Sequence, residues 1–423
     1  MKALLITYYW PPAGGSGVQR WLKFVKYLPE FGIDPVVYTV QNANYALTDE
    51  SLNEEVPSEI EVLKEPIWEP NDFLSKFSNK EKQVSAGFLS SKPSFIGRQL
   101  QYIRANYFIP DARKYWVRPS VKRLLRYMEE QSIDVVVTSG PPHSLHLIGK
   151  ELKEKTGVKW IADFRDPWTN IDYFHTLPMT KKSKKKHYEL ENEVLKKADA
   201  VVVVGASMKK EFDDRNKNVH VITNGYDGEI VNDNNMLDKR FSISHIGMMN
   251  ADRNPLILWR VLKELIQESS EFEKDLQVKL IGKCDKSIFE SIQKEGLTDF
   301  VNFISYLPHK EVMQYQSTSQ ILLLSVNRVP SAKSIITGKV FEYLQSNRPI
   351  IGIGPLDGDL ASIMKDSGNG IMIDFEDSKG LKESILACYN KYKSDQLKVR
   401  SKNIDRYHRR NLSEKLASLI KSI

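Results

Sequence analysis

The sequence predicts an α/β protein with two doubly wound, Rossmann-like domains that face each other across a cleft. Short Val- and Ile-rich runs alternate with helical patterns, in two consecutive series separated by a polar segment at residues 224–239. Strands that are apolar throughout are typical of parallel sheets covered by helices on both faces. Because 423 residues are too many for one hydrophobic core, each series predicts its own domain.

The strand pattern sets the predicted domain limits. The first series predicts strands at residues 3–7, 36–40, 135–138, 160–162, 201–204 and 219–223. The second series predicts strands at residues 242–246, 278–281, 301–303, 321–324, 349–353 and 371–373. We therefore expect an N-terminal domain over residues 1–230, with an insertion at 41–120 where strand signals fade, and a C-terminal domain over residues 240–400.

Helices with one apolar face separate the strands. Apolar residues recur three and four positions apart in residues 18–25 and again in residues 121–128, which is the helical period. A further helix in residues 401–423 follows the second series, and we expect it to pack back on the N-terminal domain. In open α/β sheets ligands bind at the carboxyl ends of the strands, so the loops after the strands are the candidate sites.

Composition excludes several classes of protein. With 41% hydrophobic and 27% charged residues, the chain has the composition of a soluble globular protein. No apolar run is long enough to cross a membrane, and the opening run meets Tyr8 too early for a signal peptide. Cys284 and Cys388 lie far apart without metal-ligand neighbours. We therefore expect a cytoplasmic setting with neither a disulfide nor a zinc site.

Positive charge is concentrated in two segments. Residues 98–126 contain eight Arg or Lys and one acid, Asp111, among several aromatic residues, and residues 181–186 contain five lysines. Such segments occur at anionic membrane surfaces, on nucleic-acid-binding proteins and as solvated faces with buried aromatic anchors. Because no nucleic-acid-binding motif accompanies them, the sequence favours a solvated face or peripheral contact of residues 98–126 with the inner face of the membrane.

The loop after the first predicted strand is rich in glycine. Gly14, Gly15 and Gly17 stand at the opening of the first helix, and glycines allow backbone N–H groups to approach an anion closely. The loop lacks the lysine of a Walker loop, and Arg20 occupies the third glycine position of a dinucleotide fingerprint. The loop therefore indicates an anion-binding site, with a plain tight turn as the alternative.

Two further strand-end loops of the first half carry polar side chains. His143 follows the strand at 135–138, where it could donate a hydrogen bond to a sugar hydroxyl or serve as a helix-capping or core histidine. Asp163, Arg165 and Asp166 follow the next strand. They are candidate ligand contacts, and an ion pair between Asp163 and Arg165 is the structural alternative.

The second half supplies two cations and a carboxylate. Arg253 follows the first strand of this half, and a guanidinium can fork onto phosphate oxygens. Thr337 and Gly338 form a turn signal before Lys339 and Glu342. A lysine at a helix start suits a phosphate, and a carboxylate one turn later suits the hydroxyls of a ribose. The segment thus indicates a nucleotide-diphosphate site, with an amphipathic surface helix carrying a Lys339–Glu342 pair as the alternative.

Taken together, these motifs resemble the family-4-like retaining glycosyltransferases of the GT-B fold. The resemblance covers nearly the whole chain, through the glycine loop and residues 163–168, 222–227, 247–255 and 338–344. Many bacterial enzymes of this kind build capsule, exopolysaccharide or lipopolysaccharide chains. The resemblance implies a hexosyltransferase that moves a sugar from a nucleotide-sugar donor to a glycan or polyprenyl-diphosphate-linked acceptor, with retention of configuration.

The resemblance also implies residue roles. Gly14, Gly15 and Gly17 would approach the donor diphosphate, His143 would contact the donor sugar, and Asp166 would lie on the acceptor or donor side. The donor-binding residues implied in the second half are Arg253, Ser334, Thr337, Gly338, Lys339 and Glu342. Of these, Arg253 and Lys339 would hold the diphosphate and Glu342 the ribose. No metal or other cofactor is expected, because the two cations replace a metal and the sugar nucleotide is a substrate.

Two positions depart from the family pattern. The family commonly has two glutamates with seven residues between them; Glu342 is the second, but Ser334 stands at the first. The usual arginine directly after the glycine of the second domain is replaced by Met248. Two other functions remain open. A sugar-nucleotide 2-epimerase of the same fold would use similar phosphate sites. A non-catalytic nucleotide-sugar-binding partner of another transferase is the second, because Ser334 supplies no negative charge.

Overall fold

The computed structural model describes residues 1–69, 95–230, 236–305, 307 and 309–423. Within these ranges the chain forms two compact units: residues 1–224 together with 409–423, and residues 225–408. Each unit contains a parallel sheet with helices packed against it. The predicted fold class, α/β with two doubly wound Rossmann-like domains, is therefore confirmed.

The described strands of the first unit form one parallel sheet. They are β1 (Lys2–Ile6), β2 (Asp34–Val40), β3 (Val62–Glu65), β4 (Val135–Gly140), β5 (Lys159–Phe164), β6 (Ala200–Val203) and β7 (Val219–Val221). Their order across the sheet is β3-β2-β1-β4-β5-β6-β7. The order reverses between β1 and β4, where Ile6 lies beside Thr138. Open α/β sheets bind ligands at such a switch point, at the carboxyl ends of the strands.

Helices cover both faces of this sheet. They are α1 (Ser16–Tyr27), α2 (Phe95–Tyr107), α3 (Lys114–Glu130), α4 (Ser144–Thr156), α5 (Lys181–Lys197) and α6 (Ala206–Phe212). The apolar faces of α3, α4, α5 and α6 share one hydrophobic core with the sheet. On the opposite face α1 packs with the last helix of the chain, through apolar residues such as Trp21 and Leu416.

The second unit repeats this architecture. Its described strands are β8 (Phe241–Ile246), β9 (Leu276–Ile281), β10 (Val301–Ile304), β11 (Ile321–Ser325), β12 (Ile350–Ile353) and β13 (Ile371–Ile373). They form a parallel sheet in the order β10-β9-β8-β11-β12-β13. The switch point therefore lies between β8 and β11, where Ile321 pairs with Ile243.

The helices of the second unit pack into two further cores. They are α7 (Leu256–Glu268), α8 (Ser270–Asp275), α9 (Lys286–Lys294), α10 (His309–Thr318), α11 (Lys339–Gln345), α12 (Asp359–Ser367) and α13 (Ser378–Lys393). The last helix, α14 (Arg409–Ser422), belongs to the first unit. Helices α7, α8, α9 and α13 cover one face of the sheet, and α11 and α12 cover the other.

Every predicted strand overlaps a strand of the structure, but the prediction for residues 41–120 needs a correction. This segment contributes the edge strand β3, although strand signals fade there. The residues of β3 are half-buried or exposed, so their sequence lacks the apolar run that marks the central strands. Helix α2 and the start of α3 also lie within this segment, whereas residues 70–94 are outside the described ranges.

Candidate functional site

In the second unit, the turn after β8 lies against one of the predicted cations. Gly247 has a φ of 110°, which side chains rarely adopt. A Cβ at this position would lie 2.5 Å from Cε of Lys339 and 2.7 Å from its Nζ. Lys339, the first residue of α11, therefore packs directly on the backbone of Gly247, and only glycine permits this approach.

The ammonium group of Lys339 lies beside a histidine. Lys339 Nζ is 3.2 Å from Nε2 of His245, and His245 Nδ1 is 3.1 Å from the carbonyl oxygen of Leu323. Because a carbonyl only accepts, Nδ1 carries the ring proton and Nε2 accepts from the lysine. His245 lies in β8 and is 1% exposed, so the imidazole is a fixed anchor for the lysine.

Arg253 approaches the same turn from the segment that follows it. Its backbone N–H donates to Oδ1 of Asn250 at 3.1 Å, and its Nε donates to Oδ1 of Asn327 at 2.5 Å. Its Nη1 donates to the carbonyl oxygen of Met248 at 3.3 Å. Two predicted cations that are distant in sequence thus both lie against residues 247–248.

The charges in this region act on one another. The pKa of Lys339 is lowered to about 7, first by burial and next by the charge of Arg253, while Glu342 acts in the opposite direction. The pKa of His245 lies well below its ordinary value, because burial and the neighbouring Lys339 and Arg253 disfavour a second ring proton. An anion beside the two cations would offset their repulsion and favour the charged lysine.

The predicted ribose ligand lies one turn further into α11. Glu342 is half-buried and accepts a hydrogen bond from Nε2 of Gln316 at 2.8 Å. The next residue, Tyr343, is buried, and its hydroxyl accepts from the backbone N–H of Ile246 at 3.0 Å. This bond ties α11 to the end of β8 and keeps Lys339 and Glu342 at the carboxyl edge of the sheet.

The segment before α11 contains the other predicted donor residues. Ser334 ends a 3₁₀ turn and donates its hydroxyl to the carbonyl oxygen of Ser331 at 2.9 Å. The carbonyl oxygen of Thr337 accepts from the N–H of Val340 at 3.1 Å, and Gly338 is the N-cap of α11. Ser334, which stands where the family pattern has a glutamate, therefore uses its hydroxyl in a hydrogen bond within its own turn.

In the first unit, the glycine loop after β1 is shaped by its neighbours. The N–H of Gly14 donates to the carbonyl oxygen of Leu47 at 2.8 Å, and a Cβ on Gly14 would lie 2.9 Å from Cγ of Leu47. The carbonyl oxygen of Gly17 accepts from Nη1 of Arg165 at 2.9 Å. Gly15 is exposed and has a φ of 86°. A Cβ on Gly17 would lie 3.0 Å from Nη1 of Arg165. Close packing thus explains Gly14 and Gly17, and Gly15 is the glycine of the three that faces solvent.

Asp163 does not form the ion pair that was the alternative interpretation of its segment. Its Oδ1 accepts from Nη2 of Arg20 at 2.8 Å and its Oδ2 from Nε at 3.2 Å, with both side chains 1% exposed. Trp21 Nε1 and the Ser139 hydroxyl each donate to Oδ2 at 2.9 Å. The ion-pair partner of Asp163 is therefore Arg20 of α1 and not Arg165.

Arg165 instead joins three strand-end loops. Besides its bond to Gly17, it donates through Nη2 to the carbonyl oxygen of Pro141. Its guanidinium lies over the ring of Tyr9, 5.4 Å from the ring centroid. The loops after β1, β4 and β5 are thereby held together, and the exposed Asp166 follows directly on this arginine.

His143 lies at the N-cap of α4 but makes no side-chain capping bond. Its ring stacks on Trp168, with ring centroids 4.9 Å apart and planes 5° apart, and the residue is 8% exposed. Trp168 Nε1 donates to Nδ1 of His187 at 3.1 Å. Because an indole only donates, His187 is neutral with its proton on Nε2. His143 is thus a stacked imidazole and not a helix cap.

Burial keeps the histidines of this region neutral. The pKa of His143 lies well below its ordinary value, first because the ring is buried and then because a proton on it would be disfavoured by the neighbouring His146 and by the charge of Arg165. Burial also lowers the pKa of His146 to about 3 and that of His187 to about 4. His146 stacks on Phe164 at 4.5 Å. The first unit therefore presents an uncharged aromatic layer that can still form hydrogen bonds.

Three residues that the sequence reasoning did not place in a site have weak signals in the sequence. The signal for Arg20 is that it stands where a dinucleotide-binding fingerprint would have its third glycine. His245 is an ionisable residue inside the strand β8, which is buried along its whole length. His187 lies one helical turn before the buried Glu191, and both face the loop after β5 through Trp168 and Thr169.

Two negative findings apply to the described residues. Within them, no group of three or more His, Cys, Asp or Glu side chains is arranged to hold a metal ion. None of the helices in the described ranges has the length and apolar character needed to cross a bilayer.

Two family models match the sequence. The model described as Glycosyltransferase Family 4 matches residues 16–229, which is more than half of the chain. The model described as Glycosyl transferases group 1 matches residues 240–391. No curated protein sequence matches the chain.

Solved structures resemble the chain over its whole length at low sequence identity. A TarM variant from S. aureus, in complex with Fondaparinux, alpha-GlcNAc-glycerol and UDP, is 12% identical with a TM-score of 0.60, and 99% of each chain is covered. WaaG, a glycosyltransferase involved in lipopolysaccharide biosynthesis, is 12% identical with a TM-score of 0.58, and 100% of each chain is covered. A proposed UDP-N-acetylglucosamine 2-epimerase from Listeria monocytogenes is 11% identical with a TM-score of 0.57, covering 100% of this chain and 96% of that one. At such identities the similarity concerns the fold alone.

Proposed function

The chain belongs to Glycosyltransferase Family 4, and on this basis we propose that it transfers a hexosyl group from a nucleotide sugar to a glycan or polyprenyl-diphosphate-linked acceptor. We assign the reaction to the synthesis of a cell-surface polysaccharide, in the cytoplasm, with retention of anomeric configuration. The nucleotide and sugar ligands named for TarM, and the lipopolysaccharide role named for WaaG, support this class of substrates.

The observation that carries the proposal is the pair of cations at one turn. Lys339 lies on the backbone of Gly247, and Arg253 donates to the carbonyl oxygen of the next residue, Met248. A diphosphate bound beside this turn would face an ammonium and a guanidinium, and charge-assisted bonds to phosphate are among the stronger polar contacts in proteins. The carboxylate of Glu342, one turn into α11, suits the ribose hydroxyls.

The proposed chemistry uses these groups where charge develops. The bond between the anomeric carbon and the diphosphate oxygen breaks, and a bond from that carbon to the acceptor oxygen forms. The acceptor hydroxyl proton passes to the departing diphosphate. Lys339 and Arg253 would stabilise the negative charge that grows on the leaving group, a contribution that is often the largest in catalysis. We propose that the two cations make a divalent metal unnecessary.

The first unit would supply the sugar contacts. We assign His143 to a hydroxyl of the donor sugar, because a neutral stacked imidazole can exchange hydrogen bonds without adding charge. The exposed Gly15 and Asp166 are assigned to the diphosphate and to the acceptor or donor sugar. Arg165 supports these positions indirectly, because it ties together the loops that carry them.

A thermal-shift screen against UDP-, GDP-, ADP- and dTDP-sugars tests the donor site. A ligand that binds the folded protein raises the melting temperature by mass action. Lys339→Ala and Glu342→Ala are expected to abolish the shift given by the best donor. Lys333→Ala is the matched control, because this exposed lysine precedes the same helix and pairs with Asp357 at 2.6 Å; its shift is expected to match wild type.

One outcome of the screen would refute the assigned donor site. An unchanged shift in both Lys339→Ala and Glu342→Ala would show that the donor binds elsewhere. Where a donor is found, transfer is measured with lipid-linked and soluble glycan acceptors. We expect Lys339→Ala to lower kcat by roughly 10²-fold, the scale seen when one transition-state donor is removed.

The two alternative functions have their own readouts. The 2-epimerase alternative is supported by the solved structure of a proposed 2-epimerase, which has a similar fold. If the chain has this activity, product analysis without any acceptor will reveal an epimerised sugar nucleotide. A non-catalytic binding partner is favoured by Ser334, which supplies no carboxylate. Donor binding without turnover across all acceptors would support that function and would overturn the transferase proposal.

We further propose peripheral membrane contact through residues 98–126. On α3, the exposed Arg118, Lys122 and Arg126 recur every four residues and so share one face of the helix. They border a groove of about 500 Å³ that is lined by Arg118, Val121, Lys122, Leu125, Arg126, Glu151 and Lys155. Such a basic, partly apolar surface suits anionic lipid headgroups.

Vesicle sedimentation tests this contact. Reversing the charge of Arg118, Lys122 and Arg126 to glutamate is expected to release the protein from vesicles that contain phosphatidylglycerol. The control reverses three exposed lysines of the second unit, Lys379, Lys391 and Lys398, and changes the net charge equally. Full binding by the α3 variant, or equal release of both variants, would refute contact through this surface.

A further inference from the structure

His245 is unusual for a residue in a central strand. It is 1% exposed and lies in β8, between β9 and β11, where apolar side chains are the norm. Both of its ring nitrogens have partners, the carbonyl oxygen of Leu323 at 3.1 Å and Nζ of Lys339 at 3.2 Å. A buried polar ring with both nitrogens bonded is held in one orientation.

The hydrogen-bond partners of the two ring nitrogens determine which nitrogen of His245 carries the proton. The Leu323 carbonyl accepts the proton of Nδ1, so Nε2 presents a lone pair to Lys339. The pKa of His245 lies well below its ordinary value, first because the ring is buried and then because a second ring proton would place a cation beside Lys339 and Arg253. The imidazole is therefore a permanent neutral acceptor.

The lysine gains a fixed position from this acceptor. A lysine has a long flexible stem, and an exposed one samples many rotamers. Here Cε and Nζ lie against Gly247 and the Nζ bonds His245, so the tip of the side chain is held on two sides. An ammonium positioned before the ligand arrives costs less to order on binding.

We propose that His245 is a positioning residue that holds the ammonium of Lys339 at the diphosphate site through the lone pair of its Nε2. The proposal rests on the proposed role of Lys339 as a diphosphate ligand. His245 itself does not touch the donor; it acts through the lysine.

A positioning role for His245 predicts how diphosphate affinity depends on pH, which a purely structural role does not. Four groups face the lysine: His245 from β8, Arg253 from the following turn, Glu342 from α11 and Cys284 from the segment after β9. Because the pKa of Lys339 is lowered to about 7 in the free protein, binding a diphosphate requires proton uptake above that pH. Affinity should then fall as pH rises beyond 7.

Titration calorimetry with UDP, GDP, ADP and dTDP, from pH 7 to 9, tests the proposal. For the diphosphate that binds wild type, His245→Leu is expected to weaken binding about tenfold, the scale of one hydrogen bond to a charged group. The affinity of this variant should also already be falling at its full slope at pH 7, where wild type only begins to lose affinity, because the leucine removes an acceptor that stabilises the ammonium. His245→Gln, whose amide oxygen can accept, should recover part of both losses.

Two further variants separate the causes. Lys339→Arg stays charged across this range, so its affinity should not vary with pH. His220→Leu removes a half-buried histidine from β7 and should leave both affinity and pH profile unchanged. If His245→Leu loses its cooperative unfolding transition, His245→Gln and Lys339→Arg carry the test.

The outcomes are distinct. Wild-type affinity and pH profile in a folded His245→Leu would overturn the positioning role while leaving the diphosphate site intact. A pH dependence that persists in Lys339→Arg would also overturn it, because the titrating group would not be the lysine. If wild type binds none of the four diphosphates, the proposed function fails and this proposal fails with it.

Discussion

In the first unit the buried guanidinium of Arg20 bonds the carboxylate of Asp163, whereas in the second unit the ammonium of Lys339 bonds the neutral imidazole of His245. Arg20 bonds a residue of β5, and Lys339 bonds a residue of β8. The first pair is 1% exposed on both sides, while Lys339 is half-buried. The two units thus hold their positive charges with different kinds of partner.

This difference in partners indicates the role of each charged side chain, Arg20 and Lys339. A cation neutralised by a buried carboxylate contributes little field to a ligand, and its bonds instead join α1 to the loops around β5. A cation held by a neutral acceptor is not neutralised by a partner of opposite charge, and, besides burial, the repulsion between Lys339 and Arg253 lowers the pKa of the lysine until an anion binds. We infer that Arg20 serves the fold and that Lys339 serves the ligand.

Breaking the ion pair of the first unit should have the largest effect. Arg20→Leu would leave Asp163 charged, buried and short of its ion-pair partner, and is expected to lower the free energy of unfolding by about 3–5 kcal/mol. Lys23→Ala is the control from the same helix, where the pair with Glu55 lies at the surface. Its cost should be about 0–1 kcal/mol. Urea denaturation measures both, and similar costs would contradict the comparison.

The aromatic layer of the first unit should be next in magnitude. His187→Leu removes the acceptor of the buried Trp168 N–H and is expected to lower the free energy of unfolding by about 1–3 kcal/mol. His187→Gln retains an oxygen that can accept and should lose less. Both are measured by urea denaturation at pH 7. Equal losses would mean that packing, and not the hydrogen bond, accounts for the effect.

Acid should destabilise the first unit through its neutral histidines. The pKa of His187 is about 4 in the folded protein and about 6.5 in an unfolded chain. Between these values the unfolded state binds more protons, so stability present above pH 6.5 is lost as pH falls towards 4. The slope is at most about 1.4 kcal/mol per pH unit for one histidine. Urea titrations from pH 7 to 4.5 should show a shallower dependence in His187→Gln, and an unchanged slope would contradict this assignment.

The glycine of the second unit should give the smallest change in stability but a clear change in binding. Gly247→Ala and Gly296→Ala both place a side chain at positive φ, which costs about 1 kcal/mol. Only at position 247 would the new Cβ meet Lys339, since no atom lies within 4 Å of the site at Gly296. Donor thermal shifts should therefore fall in Gly247→Ala and persist in Gly296→Ala. A donor thermal shift retained by both variants would show that Lys339 does not contribute to donor binding.

Much of the fold could be predicted from local sequence. Central strands such as β1 and β11 are buried on both faces, so their apolar runs, Ala-Leu-Leu-Ile and Ile-Leu-Leu-Leu, are continuous and easy to detect. The edge strand β3 escaped prediction because half-exposed residues need no such run. Lys339 and Glu342 were likewise detectable, because their spacing within one helical turn is a local property.

By itself the sequence determined the alternation of strands and helices, and with it the strand ends where Arg253, Lys339 and His143 lie. Only the tertiary structure decided which groups meet: Asp163 pairs with Arg20 of α1 and not with Arg165 two residues away, and His245 meets Lys339 across 94 positions. The reason is physical. Periodicity and turn chemistry act between near neighbours in the chain, whereas a buried charge takes whichever partner the packed sheet and helices bring within hydrogen-bonding distance.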